Sequence, residues 1–299
     1  MKSVRVGCVK YLNARPLIRG WPDRVEFDHP SALCQRLAKG QLDVALVSSF
    51  EFLRNPIYRI VGDVSISSDG PVYSVVVAHR GEFSNIEEVE LDPASETSVN
   101  LLRCLLAELG LKPRLIRNTD LQSVRPAGLQ RADSARIESL ESQAAENISA
   151  GPTGKMPVFQ LSRRARLLIG DQAIRFRQTH AGEFHFRDLG EQWKKLTGLP
   201  FVYALWLIRP EVPDANAIAQ CLRDLRDENV ADIPGVVSEA VAGVADNNQV
   251  IVPKFLDRYY HEYLRFGFGT REKQGLQAFA DLCAKHGVLP KRGYEFTLV

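Results

Sequence analysis

The feature that most constrains the fold is an apolar strand at the start of the chain that breaks into a polar turn. Val6-Gly7-Cys8-Val9 is followed by Tyr11, Asn13 and Arg15 before Pro16 closes the turn. Such a run reads as a buried strand whose carboxyl end hands polar side chains to a loop. In open α/β sheets, ligands sit outside the carboxyl ends of strands. The next segment, Ser31 to Lys39, has Leu33 and Leu37 one turn apart, Ser31 as N-cap and Gly40 as stop. Leu42 to Val47 is a second apolar run, and it ends in Ser48-Ser49. A strand–helix–strand opening implies parallel pairing with a right-handed crossover. Ser49 therefore belongs on the same sheet edge as Asn13. The expected class is α/β.

Two further segments carry polar groups at the ends of apolar runs. Asp69-Gly70-Pro71 is a turn that leads into the β-branched run Val72 to Ala78. Ser74 lies near the start of that run, and a tolerated strand serine and a ligand-facing serine fit it equally. After Leu91, a strong helix opens, with Leu101, Leu102, Leu105, Leu106 and Leu109 on its apolar face and Gly110 at its end. Its first turn holds Ser95, Thr97 and Ser98. Ser95 alone suffices as N-cap, with Glu96 complementing the dipole. Three hydroxyls beside free N–H groups also suit a carboxylate ligand.

From about Thr119 to Gln160 the texture changes to Ser, Ala, Arg, Gln and Gly, with Phe159 the single aromatic residue. Arg136 to Glu146 has the pattern of a weak helix, and Ser149 to Gly154 is linker-like. So long a stretch without pattern is unusual inside a compact domain, and a disordered surface insertion at about 120–160 is expected. Order returns with Ala165 to Ile169, a buried strand ending in Gly170-Asp171. Asp188 to Leu196 reads as a short helix and Phe201 to Ile208 as a buried strand. Helices follow at Asn216–Asp227, Pro253–Tyr263 and Lys273–His286. Tyr259, Tyr260 and Tyr263 are expected as packing residues, because no basic stripe accompanies them.

The totals exclude several classes. A length of 299 residues suggests about two domains. A formal net charge of +2 gives no reason to expect nucleic acid or an anionic membrane as partner. The longest apolar run, Phe201 to Ile208, is far too short to span a bilayer. Met1 to Lys10 leads into no apolar signal segment, so a cytoplasmic location is expected. The five cysteines are scattered without a Cys-x-x-Cys pair, as expected for reduced, buried thiols, and Cys8 reads as a core residue. No phosphate loop, dinucleotide fingerprint, nucleophile elbow or metal-ligand spacing appears, so neither a metal nor a cofactor is expected.

Six motifs then occur in a fixed order. They are Gly-Cys-Val-x-Tyr-Leu-Asn-x-x-Pro-Leu, Leu-x-x-Gly-x-Leu-Asp-Val-Ala-Leu-Val, Ser-x-Asp-Gly-Pro-Val-x-Ser-Val, and Leu-Asp-x-x-Ser-x-Thr-Ser. Leu-Leu-Ile-Gly-Asp-x-Ala and Asp-Leu-Gly-x-x-Trp-x-x-x-Thr-Gly-Leu-Pro-Phe-Val complete the set. Together they closely resemble the chorismate dehydratase family of the futalosine route to menaquinone, across most of the chain outside the insertion. The resemblance implies a two-lobed fold like the type 2 periplasmic binding proteins, with the ligand cleft between lobes and two crossover strands. Lobe one would comprise 1–78 and 205–299, and lobe two 79–204. The implied reaction turns the small-molecule substrate chorismate into 3-[(1-carboxyvinyl)oxy]benzoate and water, which makes the chain a hydro-lyase.

Carried over by position, Asn13 and Ser74 are the expected catalytic residues. Ser95, Thr97 and Ser98 would hold a substrate carboxylate. Tyr11, Arg15, Ser49, Gly70, Pro71, Gly170 and Asp171 would line the cleft. Neither an amide nor an unactivated serine is a good base, so a carboxylate of the substrate itself is a candidate. Where the family commonly has arginine in the Ser-x-Thr-Ser turn, this chain has Glu96. Two other readings stay open: a non-catalytic carboxylate-binding protein of the same fold, and the sister dihydroxynaphthoate synthase of the same pathway. Removal of Ser123 to Lys155 is expected to preserve chorismate turnover, and a folded but inactive deletion variant would show that the segment matters.

Overall fold

The structure is a computed structural model that describes residues 4–92, 94–117, 163–242 and 251–299. The expected insertion at about 120–160, with its weak helix, lies outside the described residues.

Two five-stranded mixed sheets organise the chain. The first contains β1 (Val6–Cys8), β2 (Val25–Phe27), β3 (Val44–Ser48), β4 (Arg59–Ser68) and β10 (Phe201–Ile208), in the order β2-β1-β3-β10-β4. The second contains β5 (Val75–His79), β6 (Glu88–Leu91), β7 (Arg114–Arg117), β8 (Arg164–Ile169) and β9 (His185–Asp188), in the order β7-β6-β8-β5-β9. Each sheet has one strand running against its neighbours. In the first it is β10, antiparallel to β3 and β4. In the second it is β5, antiparallel to β8 and β9. The other pairings are parallel. The odd strand in each sheet is the one that arrives from the other sheet, so the two halves mirror each other in plan.

The apolar runs become central strands because helices cover them. β3 is buried along its whole length, and β10 is buried except at Ala204. α1 (Pro30–Ala38) covers the first sheet. It begins one residue before the expected Ser31, since Pro30 occupies its first turn, where a missing N–H costs nothing. α3 (Glu96–Glu108) buries Leu101, Leu102, Leu105 and Leu106. Between α1 and α3 lies α2 (Ser49–Arg54), directly after β3. α4 (Gly170–Thr179) follows β8, and a small cluster of Val76, Ala78, Leu168 and Ala173 sits beneath it. α5 (Leu189–Thr197) buries Trp193, whose indole N–H donates to the Pro200 carbonyl at 3.1 Å.

The C-terminal part closes over the first sheet. α6 (Ala215–Ala231) and α7 (Ile233–Ala242) pack on the 3-10 turn Leu12–Leu17. α8 (Pro253–Arg258) runs into a π-helical turn, Tyr259–Tyr263. α9 (Thr270–Lys285) packs on β10 and also touches α3. The last residues run beside β4, with the Ile60 N–H donating to the Thr297 carbonyl at 2.8 Å. Tyr259 and Tyr260 are buried packing residues. No helix among the described residues is long and apolar enough to cross a membrane.

β5 belongs wholly to the second sheet and β10 wholly to the first. We therefore propose that the lobes divide at the turns around 69–74 and 198–200, rather than inside these strands at 78 and 204. One glycine marks how tightly the chain passes there. A Cβ on Gly190 would lie 2.5 Å from the Gly70 carbonyl oxygen and 2.7 Å from both Ser68 Oγ and the Tyr203 hydroxyl. Gly190→Ala is expected to cost about 1–3 kcal/mol through overpacking. Urea unfolding measures it, and an unchanged midpoint and slope would contradict the close approach.

Candidate active site

The carboxyl ends of the parallel strands in both sheets point at one another. β1 ends at the Tyr11–Asn13 turn, β3 at Ser48-Ser49, β6 before Ser95, and β8 at Gly170-Asp171. Direct hydrogen bonds join the two edges. The Leu12 N–H donates to Asp171 Oδ1 at 3.0 Å. Thr97 Oγ1 accepts from the Phe50 N–H at 3.1 Å, and Ser48 Oγ accepts from the Thr97 N–H at 3.1 Å. The Ser48 and Thr97 hydroxyls also bond to each other.

Between these edges lies a cavity of about 60 Å³. Its polar lining is Tyr11, Asn13, Ser48, Ser74, Ser95, Ser98, Gly170 and Tyr203, set among Val9, Leu46, Ile66, Val72 and Ile169. Among the described residues the lining contains no carboxylate, imidazole or amine. Its volume is far below the ~300–1,000 Å³ of ordinary ligand pockets.

Asn13 stands out within the lining. Its Oδ1 is buried and has no hydrogen-bond partner. A buried, unpaired amide oxygen costs about 1–3 kcal/mol unless something else satisfies it. Ser74 is fully buried, and its Oγ accepts from the Tyr259 hydroxyl at 2.7 Å. That leaves the Ser74 proton free to be donated. Burial pushes the Tyr259 phenol well above its usual range, so it stays protonated and remains a donor. Tyr260 donates to the Leu12 carbonyl at 2.8 Å and so steadies the Asn13 turn.

Ser74 was expected at the start of a strand running from Val72. The strand begins at Val75 instead, because Tyr73 has φ +66° and breaks the extended run. Asp188 holds that turn. Its carboxylate accepts from the N–H groups of Val72 at 3.0 Å, Tyr73 at 2.7 Å, Gly190 at 3.0 Å and Glu191 at 3.2 Å. One side chain thus caps α5 and fixes the Tyr73 conformation. Burial pushes the Asp188 carboxyl upward while these donors pull it back. The Arg177 guanidinium lies 4.1 Å over the Tyr73 ring and 3.6 Å from Asp188 Oδ2.

The other expected residues divide between lining and frame. Ser95 and Ser98 line the cavity; Ser95 caps α3 by accepting from the Ser98 N–H at 3.3 Å. Thr97 spends its hydroxyl on the bonds between the lobes, and Ser49 donates to the Val202 carbonyl at 2.7 Å. It is Ser48, not Ser49, that faces the cavity. Gly70 and Pro71 form the turn before Ser74 and lie outside the lining. Gly170 has φ +58°, and a Cβ there would press within 3.2 Å of the Tyr11 ring. Arg15 opens into a different, outer cavity. Glu96 pairs with Arg54 at 2.7 Å and is absent from the lining. Cys8 is fully buried and its thiol is pushed far up by burial, as a core residue is. Sequence reasoning missed Tyr203, Tyr259 and Asp188 as parts of the site. For Asp188 a signal existed: an aspartate directly before a helix start.

The arrangement of two mixed sheets with facing strand ends is the two-lobed fold of the type 2 periplasmic binding proteins. Among solved structures, an alkanesulfonate-binding protein from Xanthomonas axonopodis aligns with TM-score 0.61 at 15% identity, over 99% of this chain and 97% of that one. A Candida albicans protein described as exhibiting the generic periplasmic binding protein fold aligns with TM-score 0.54 at 11% identity, over 98% and 92%. Such likenesses establish the fold alone. The model of the menaquinone biosynthesis family matches residues 4–137 and 141–285, so the chain belongs to that family. A chorismate dehydratase from Thermus thermophilus is 29% identical over 94% of this chain and 95% of its own length.

Asp171 provides a pH test of this geometry. Burial raises its carboxyl from 3.8 to about 6 despite the Leu12 N–H and the nearby Arg175 and Arg15 charges. A raised carboxyl favours the folded state in its protonated form. Its contribution is present below the ordinary carboxylate value and is lost as pH rises through about 6. Stability is therefore expected to fall by on the order of 1–3 kcal/mol between about pH 4 and pH 6.5, and Asp171→Asn to remove that slope. Denaturant titrations across this range measure both, and an unaltered slope in the variant would contradict the assignment.

Proposed function

We propose that this chain is a chorismate dehydratase, converting chorismate to 3-[(1-carboxyvinyl)oxy]benzoate and water. Membership of the menaquinone biosynthesis family and the likeness to the Thermus thermophilus enzyme support the reaction class. The observation that carries the site is the buried, unpartnered Asn13 Oδ1 beside a cavity whose described lining offers hydroxyls but no carboxylate, imidazole or amine.

The chemistry fits such a lining. The ring proton at the ether-bearing carbon is vinylogous to the ring carboxylate and is correspondingly acidic. Its loss breaks one C–H bond, departure of the neighbouring hydroxyl breaks one C–O bond, and the electron pair closes the aromatic ring. Proton and hydroxide leave together as water. The protein's task is to hold the substrate so that elimination outruns rearrangement of the enolpyruvyl ether.

Roles follow from the geometry. The Asn13 amide holds the hydroxyl end of the ring. The Ser74 hydroxyl, its oxygen already accepting from Tyr259, donates to the departing oxygen. Ser95, Ser98 and the N-terminus of α3 receive a carboxylate. No side chain in the described lining is a competent base, so the enolpyruvyl carboxylate of the substrate takes the proton. Ser49, Thr97, Gly70, Pro71, Gly170 and Asp171 frame the site, and Tyr11 and Arg15 stand at its edge. A biosynthetic role of this kind accords with a cytoplasmic location and a small-molecule partner.

Asn13→Ala and Ser74→Ala are each expected to lower kcat/KM for chorismate by about 10²–10³-fold, the range seen when a positioned polar group is removed. Absorbance of the aromatic product measures the rate. Unchanged rates in both variants would remove these assignments.

A further inference from the structure

On the far side of the Tyr11 turn lies a second cavity, of about 420 Å³. Val9 and Tyr11 belong to its lining and to that of the cavity between the lobes. The outer lining combines apolar surface from Ile18, Phe27 and Val236 with three cations: Lys10, Arg15 and Arg19. Arg19 is committed, at 2.8 Å to both Asp232 and Glu239. Glu239 is the only carboxylate in the lining among the described residues, and Arg19 pairs with it. Lys10 and Arg15 have no carboxylate partner within bonding distance among the described residues. The cavity therefore presents two uncommitted positive charges beside an aromatic and aliphatic wall.

We infer that this outer cavity is a capture site for cyclic dicarboxylates, which dock against Lys10 and Arg15 and pass Tyr11 to reach the cavity between the lobes. The inference rests on the proposed function for the identity of its ligand. Three observations support it. The outer cavity is of ligand size, whereas the inner one is not. The charges are of the sign and number that match a dianion. Tyr11 stands in both linings, with its ring packed on the Gly170 backbone. Exposed cations at the mouth of a site raise the capture rate more than they change the chemical step.

The test uses the full chain with Lys10→Gln/Arg15→Gln, and Lys39→Gln as a control for loss of surface charge. Isophthalate, a ring dianion that cannot react, is titrated by calorimetry at low and high salt. The double variant is expected to bind it at least about 10-fold more weakly and to lose most of the salt dependence shown by the parent chain. With chorismate, kcat/KM is expected to fall by a similar factor. Isophthalate binding unchanged from the control, or no binding to the parent chain, would overturn the inference. So would an equal fall in kcat and kcat/KM, which would place the charges in the chemical step. If the parent chain turns over no chorismate, the proposed function fails. The isophthalate titration then decides the capture site alone: weakened binding in the double variant supports it, and unchanged binding overturns it.

Discussion

Four backbone N–H groups converge on the Asp188 carboxylate, and the geometry of the site depends on that convergence. Two of them belong to the turn by which the chain enters the second sheet, and two to the first turn of α5. The same carboxylate therefore starts a helix, holds Tyr73 at positive φ and sets where Ser74 emerges. A non-glycine residue held there stores on the order of 1 kcal/mol, and persists only when its surroundings over-determine it. Arg177 completes the clamp from α4, above the ring of Tyr73. Close approach of Gly190 to Gly70 leaves this crossing no room to relax.

From that anchor the lobes meet through small hydroxyls as well as through ion pairs such as Arg54–Glu96 and Lys285–Glu108. Ser48, Thr97 and the Phe50 N–H form a buried polar seam, and nearly every polar group near it has a partner. Asn13 Oδ1 is the exception that faces the cavity. An orphaned acceptor beside this cavity means that a ligand hydroxyl arriving there gains a hydrogen bond that the empty site lacks. The lining offers orientation, hydrogen-bond donation and exclusion of water, but no base. A reaction in which the substrate supplies its own base, and gains aromatic stabilisation, matches what such a lining can contribute.

Part of the architecture was legible because β1, β3 and β8 are short, end in a turn residue and carry apolar runs, whereas β2, β6 and β7, which alternate charged and apolar residues, were not read. The opening turn at Asn13, the Ser95 cap and the Gly170-Asp171 strand end all stood in the sequence as local signals. The bond partners of the hydroxyls did not. Thr97 bonds to residues almost fifty positions earlier, so its choice between capping, ligand and seam is a tertiary matter. The β-branched run from Val72 suggested a strand through Ser74, and the two N–H groups that Val72 and Tyr73 give to the distant Asp188 overrode that propensity. Tyr259 showed only helical packing spacing; its hydroxyl acquires a role because the π-helical turn carries it to Ser74. Strand β4, interrupted by Gly62 and Asp63, gave no clear alternation to read.

The most direct measurement uses chorismate labelled with deuterium at the ether-bearing ring carbon. Incubation with the purified chain, followed by nuclear magnetic resonance of the product, shows where that label goes. Elimination in the cavity between the lobes predicts an aromatic benzoate ether from which the deuterium has been lost. Chorismate recovered unchanged, or a rearranged product that keeps its deuterium, would contradict the reaction proposed for this site.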